Sequence, residues 1–68
     1  MQEIPKDPIM LLSFINLKLR DYYKDADSLC AALDLDKKEL FDKLSGIDYY
    51  YDAASNQFKQ LINGQFLA

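Results

Sequence analysis

The stretch Asp25-Ala26-Asp27-Ser28-Leu29-Cys30-Ala31-Ala32-Leu33-Asp34-Leu35-Asp36-Lys37-Lys38-Glu39-Leu40-Phe41-Asp42-Lys43-Leu44-Ser45-Gly46-Ile47 reads as two helices joined by a tight turn. Asp25 stands where a side chain caps the first free N–H groups of a helix. Ala26, Leu29, Cys30 and Leu33 then recur at spacings of three and four, which places them on one inward face. Asp34-Leu35-Asp36 interrupts that period. Asp36, with Glu39 three residues on, fits a capping box in its Asp variant and opens the next helix. Leu40, Leu44 and Ile47 form its buried stripe with Phe41 at the edge, and Gly46 supplies the stop. The spacing predicts helices over 26–34 and 37–46.

Upstream, Asp7-Pro8 opens a further helix predicted over 8–23, with Asp7 as cap and Pro8 at the first helical position. Residues 1–6 read as a flexible lead. Leu11, Leu12, Ile15, Leu19, Tyr22 and Tyr23 form one broad apolar face. Met10, Phe14 and Leu17 fall on a second side, and Ser13, Asn16 and Arg20 form a polar stripe between the two. Downstream the period changes. Tyr49-Tyr50-Tyr51 is a run of strong strand formers, Asp52 to Asn56 reads as a loop, and Asn56 suits a left-handed position. A hairpin is predicted near 48–52 and 57–61. Asn63-Gly64 signals a second turn that could return Gln65-Phe66-Leu67 as a third short strand. Residues 60–68 are left as a tail. The whole of 1–68 is expected to be a single α+β domain, mainly α: a three-helix bundle followed by a C-terminal β-hairpin. Its expected core is Leu12, Ile15, Leu19, Leu29, Leu33, Leu35, Leu40, Leu44 and Phe58.

Composition bounds what such a chain can do. Its 68 residues are 50% hydrophobic and 28% charged, with one Cys, no His and no Trp. A chain near sixty residues buries only about 60% of its unfolded surface, so the margin of stability is thin. The apolar content is nevertheless too high for intrinsic disorder. Cys30 has no internal disulfide partner, which suits a reducing compartment. The N-terminus has no basic segment followed by a long apolar one, so no signal peptide is expected. The longest wholly apolar run, Ile9-Met10-Leu11-Leu12, is far below the roughly 20 residues that cross a bilayer. A cytoplasmic protein is expected.

Most catalytic chemistry lacks its residues here. Without His there is no His-based triad, no His general base and no His metal ligand. Cys30, on an inward helix face, is expected as a small core residue and not as a reactive thiol. Gly46 and Gly64 lie too far apart to cradle a phosphate. Asp25, Asp27 and Asp36 imitate the ends of a calcium loop, but Leu29 and Cys30 occupy positions that need a ligand and a glycine. Asp34 and Asp36 suit capping and solvation better than a catalytic pair. No enzyme, no cofactor, no metal and no small-molecule substrate is expected.

The order helix, helix, tight turn, helix, hairpin resembles a winged helix-turn-helix over residues 25–47. Cys30 takes the small position of that motif, Asp34 the turn, Leu35 the apolar site after it, and Leu40 and Leu44 the inward face of the third helix. Asp34 departs from the glycine commonest at the turn. A second resemblance rests on Ile4-Pro5-Lys6-Asp7-Pro8, Met10-Leu11-Leu12-Ser13, Asn16, Lys18-Leu19-Arg20-Asp21, Asp36-Lys37-Lys38-Glu39 and Asn56-Gln57-Phe58. Over roughly residues 4–58 these are similar to a family of small bacterial proteins known only as domain of unknown function 4250. That resemblance implies a compact intracellular module and brings no activity or site residue.

Two functions follow from the same scaffold. As a DNA-binding regulator, the chain would offer Lys37, Lys38 and Lys43 from the third helix and Lys59 from the wing. Glu39 and Asp42 oppose them, and the net charge of −3 disfavours phosphate neutralisation. A protein-interaction or self-association module is therefore the favoured reading, since fold does not fix function. Its candidate faces are Met10, Phe14 and Leu17 for self-association and Ser13, Asn16 and Arg20 for a polar partner contact. The stripe also reads as a solvated side with Arg20 paired to Asp21 or Asp25, or as a contact to the hairpin. The five tyrosines Tyr22, Tyr23, Tyr49, Tyr50 and Tyr51 read mainly as a set of which part seals the core, with Tyr50 facing away from Tyr49 and Tyr51, and otherwise as an exposed partner patch. A homodimer through the first helix is slightly favoured over a cover formed by Leu61, Ile62, Phe66 and Leu67 of the tail.

Overall fold

Three aspartates start three helices: α1 (Pro8–Asp21), α2 (Ala26–Leu33) and α3 (Lys37–Ser45). The computed structural model describes residues 4–61. Asp7 accepts from the Met10 N–H at 3.1 Å, and Asp25 from the Ser28 N–H at 2.7 Å. Asp36 accepts from Lys38 at 3.0 Å and more weakly from Glu39 at 3.5 Å. Each bond satisfies a donor that the first helical turn leaves without an internal partner. β1 (Tyr49–Asp52) and β2 (Gln57–Gln60) then form an antiparallel hairpin. The fold is α+β and mainly α, in the order expected.

The ends of the elements rest on aspartate and asparagine instead of glycine. Asp34 (φ 58°), Asp48 (φ 64°) and Asn56 (φ 56°) all occupy the left-handed region, which these two residue types tolerate best after glycine. At the end of α2 the N–H groups of Asp34 and Leu35 both donate to the Cys30 carbonyl, a Schellman-like closure. Gly46 caps α3 in a right-handed conformation (φ −64°), and the chain reverses two residues later at Asp48. α1 ends at Asp21, two residues earlier than its apolar spacing predicts. Tyr22, at φ −127°, leaves the helix and is 68% exposed, so it does not share the apolar face. Tyr23 remains half-buried against the core.

The core holds Leu11, Leu12, Ile15 and Leu19 of α1, Leu29 and Cys30 of α2, Leu40 and Leu44 of α3, and Phe58 of β2. Leu33 and Leu35, expected inside, sit half-buried at its margin, because the left-handed turn at Asp34 lies between them. Ile4 is also half-buried against this core, so the N-terminal lead is docked from that residue onward. Phe58 meets Phe41 edge to face at 5.4 Å, with Tyr51 at 5.4 Å from Phe58 and 5.8 Å from Phe41, spacings at which aromatic rings attract beyond simple burial. Tyr49 and Tyr51 face the core and Tyr50 faces out, as the strand period requires. The sheet of the described residues has two strands. The winged-helix likeness is loose: the order of elements agrees, and Cys30, Leu40 and Leu44 are buried with Asp34 in the turn, as that motif would place them. The expected third strand at Gln65–Leu67 lies outside the described residues.

The left-handed Asp34 tests the turn between α2 and α3. Asp34→Gly removes a Cβ that this conformation disfavours, and the gain exceeds the extra entropy of glycine in the unfolded chain. The urea midpoint should rise by the equivalent of about 0.5 kcal/mol. A fall would show that the Asp34 side chain stabilises the turn.

Candidate functional site

Asparagine 16 is a poor helix former in the middle of α1, and its use lies in the hairpin. Asn16 Nδ2 donates to the Phe58 carbonyl at 3.1 Å, and the Phe58 N–H donates to Asn16 Oδ1 at 2.7 Å. One side-chain amide thus pairs both main-chain groups of a strand residue, as a neighbouring strand would. Gln57 Nε2 adds a bond to the Asn16 carbonyl at 3.0 Å. A contact from the polar stripe to the hairpin is among its readings, and the structure makes it through Asn16, although spacing alone does not pair residues 16 and 58.

The second joint is built from Asn56. Its Nδ2 donates to the Leu19 carbonyl at 3.0 Å and the Tyr23 carbonyl at 2.9 Å, which satisfies acceptors at the frayed end of α1. The Tyr51 hydroxyl donates to Asn56 Oδ1 at 2.7 Å and accepts from the Ala26 N–H at 3.3 Å. Asn56 was legible as a turn residue, but its reach to α1 was not. Among the described residues, every buried side-chain polar atom has a partner.

The polar stripe is divided by these bonds. Asn16 uses its amide inside the fold. Arg20 pairs with Asp21 through Nε at 3.1 Å, with both groups exposed. Ser13 is exposed beside Asn16, Leu17, Arg20, Tyr49 and Gln57, which line a shallow hollow between α1 and β2. The structure brings the three residues to one side of α1 but leaves only Ser13 and Arg20 facing solvent.

The second apolar side of α1 divides similarly. Met10 is 63% exposed and Leu17 45% exposed, with Ile9 beside them at 57%. Phe14 is half-buried against the core, and Lys18 Nζ lies 5.4 Å from its ring centre and 4.7 Å from that of Tyr22. The covering role of Ile62, Phe66 and Leu67 falls outside the described residues, while Leu61 is itself exposed.

Three of the four lysines considered for DNA meet carboxylates. Lys37 lies 2.8 Å from Asp27, Lys38 2.8 Å from Asp42, and Lys59 3.0 Å from Asp52. Hydrogen bonding to these partners raises the Lys37 and Lys38 ammonium groups above their ordinary values. Lys43 is in none of the ion pairs of the described residues and borders a small hollow with Ile4, Leu35 and Glu39. Burial pushes the Cys30 thiol up, the direction that disfavours the thiolate. Among the described residues, no group of His, Cys, Asp and Glu is arranged to hold a metal ion. No helix among them is long and apolar enough to cross a membrane.

These features define a class: a small helical module closed by a hairpin, with one helix presenting exposed apolar side chains. The chain belongs to the family described as Domain of unknown function (DUF4250), whose profile matches residues 5–58. No curated protein and no solved structure matches it.

Two outcomes test these joints and caps. Asn16→Ala strands the Phe58 N–H and carbonyl and should cost about 1–3 kcal/mol, against a gain of about 0.7 kcal/mol or less from better helix propensity. The Phe58 amide should exchange faster with solvent. An unchanged urea midpoint with unchanged exchange would remove Asn16 from the account. The second outcome concerns acid. Asp25 is held below the usual carboxylate range by the Ser28 N–H, Asp21 by the Arg20 guanidinium, and Asp52 by Lys59 and Ser55. A depressed folded-state value means that the unfolded chain binds more protons in the interval, so stability rises with pH there. The contribution is complete above the unfolded carboxylate range, near pH ~4, and is lost as the pH falls through the folded values. Asp25→Asn keeps a good cap without the titration, so the acid limb of the urea midpoint should become shallower. An identical acid limb would show that Asp25 does not contribute.

Proposed function

We propose that this domain is a non-enzymatic protein-interaction module that self-associates through the outward face of α1. The observation that carries the reading is the exposure of Met10 and Leu17, with Ile9 beside them, on a helix whose opposite face is fully used by the core. Contiguous exposed apolar surface on a small protein marks an interaction site, and a two-fold pair of identical helices is the simplest way to cover it. The ion pairs at Lys37, Lys38 and Lys59 weigh against the DNA-binding alternative, because phosphates would have to displace bound carboxylates from a domain that is already acidic. Phe14 supports the face from beneath, so it is a weak probe of association.

Light scattering of the full chain at high micromolar concentration should give about twice the 7.9 kDa of one copy. Exchanging Met10 and Leu17 for glutamate together should give a monomer that stays folded, since both side chains are exposed. A monomeric unmutated protein would refute self-association. Steep, salt-sensitive binding to mixed duplex DNA would restore the alternative.

A further inference from the structure

We propose that the free edge of β1, with the groove between β1 and α3, binds an extended peptide carrying an apolar residue beside a lysine or arginine. This site is separate from the α1 face and does not rest on it.

The hydrogen-bond phase of the hairpin identifies the edge. Leu61 donates its N–H to the Asp48 carbonyl at 2.6 Å, while both main-chain groups of Phe58 are taken by Asn16. In an antiparallel ladder, hydrogen-bonded pairs alternate with non-bonded ones. With Tyr51 opposite Phe58 and Tyr49 opposite Gln60, ladder bonds fall at the pairs Tyr50–Lys59 and Asp52–Gln57. The N–H and carbonyl groups of Tyr49 and Tyr51 therefore point away from β2. Among the hydrogen bonds of the described residues outside that ladder, none involves these four groups. The two edges are treated differently: the Asn16 amide closes β2, and β1 keeps an unpaired row, which is a template for another strand.

Beside this row runs a groove of about 370 Å³ lined by Phe41, Asp42 and Ser45 of α3 and by Tyr49, Tyr50 and Tyr51, with Phe58 beneath. Its aromatic walls suit an apolar side chain projecting from a strand laid along β1. Charge selects the occupant. Asp42 is the one charged side chain lining the groove, and Asp48 and Asp52 bracket β1. Asp42 and Asp52 each already meet a lysine of the domain, while Asp48 is in none of its ion pairs among the described residues. A second copy of β1 would bring the same carboxylates face to face. A basic, apolar strand from another chain meets complementary charge, which favours its encounter over acidic competitors.

The test uses a set of capped seven-residue peptides of the form Thr-Lys-Val-X-Val-Lys-Thr, where X is Phe, Leu, Ile, Val or Tyr, titrated into the full-length protein. At least one should bind below about 1 mM, with the Tyr49 and Tyr51 amides shifting and becoming slower to exchange while Tyr50, already in the ladder, changes little. Two analogues of the binder, N-methylated on alternate sets of residues, separate edge pairing from simple stickiness. One set should lose about tenfold or more in affinity and the other much less, because only every second peptide N–H faces β1. Replacing lysine by glutamate in the peptide, or Asp48→Asn in the protein, which keeps a residue suited to the left-handed backbone there, should each weaken binding several-fold. A Met10→Glu variant, whose substituted residue lines neither the groove nor the hollow beside Tyr49, should bind the peptide as the unmutated chain does, so this result stands or falls apart from self-association. The proposal is overturned if no peptide of the set binds, if the Tyr49 and Tyr51 amides are already protected in the free protein, or if both methylated analogues bind equally.

Discussion

The bonds between Asn16 and Phe58 hold the structure together at its weakest place. A two-stranded hairpin is marginal by itself in water. Helices of fourteen, eight and nine residues are at or below the length at which isolated helices persist. Each half therefore needs the other. The Asn16 amide fixes β2 against α1, and that placement brings Phe58 into the core against Phe41. Phe58 is the one strand residue fully inside, so the hairpin contributes to the core mainly through a side chain that Asn16 positions.

Asn56 and Tyr51 extend the same logic to the other end of α1. The carbonyls of Leu19 and Tyr23 both receive the Asn56 amide, and the Tyr51 hydroxyl links Asn56 to the first N–H of α2. The hairpin loop thereby takes the place of a helix cap. This arrangement explains why α1 stops at Asp21 although apolar residues continue through Tyr23: the carbonyls that further helical turns would occupy are held by the loop.

The legible part of the fold was local. Asp7, Asp25 and Asp36 announced helix starts because a cap acts within three residues, and Asn56 announced its turn because φ is a property of one residue. The alternation of Tyr49, Tyr50 and Tyr51 was legible for the same reason. What was not legible joins distant residues through polar groups. The sequence marks Asn16 as part of a polar stripe, and only the third dimension sets it opposite Phe58, forty-two positions away. Tyr22 was misplaced because helical spacing was carried past the end of α1, whereas Leu33 and Leu35, on either side of the left-handed turn at Asp34, reach only the margin of the core. Phe14 was grouped with Met10 and Leu17 by angle alone, whereas its ring lies against the core.

Separation of surfaces is the last consequence of the Asn16 joint. α1 lies along β2 and α3 along β1, so the hairpin stands between the two helices with a different neighbour at each strand. Closing β2 against α1 occupies Asn16 of the polar stripe while leaving Met10 and Leu17 outside. On the other strand, α3 flanks β1 without supplying partners to the outward main-chain groups of Tyr49 and Tyr51. The exposed apolar side of α1 and the groove beside β1 consequently share no residue. Leu17 meets Tyr49 across the hollow beside Asn16, so the two surfaces adjoin there, whereas a charge placed at Met10 acts on the β1 groove only through solvent, where salt screens it.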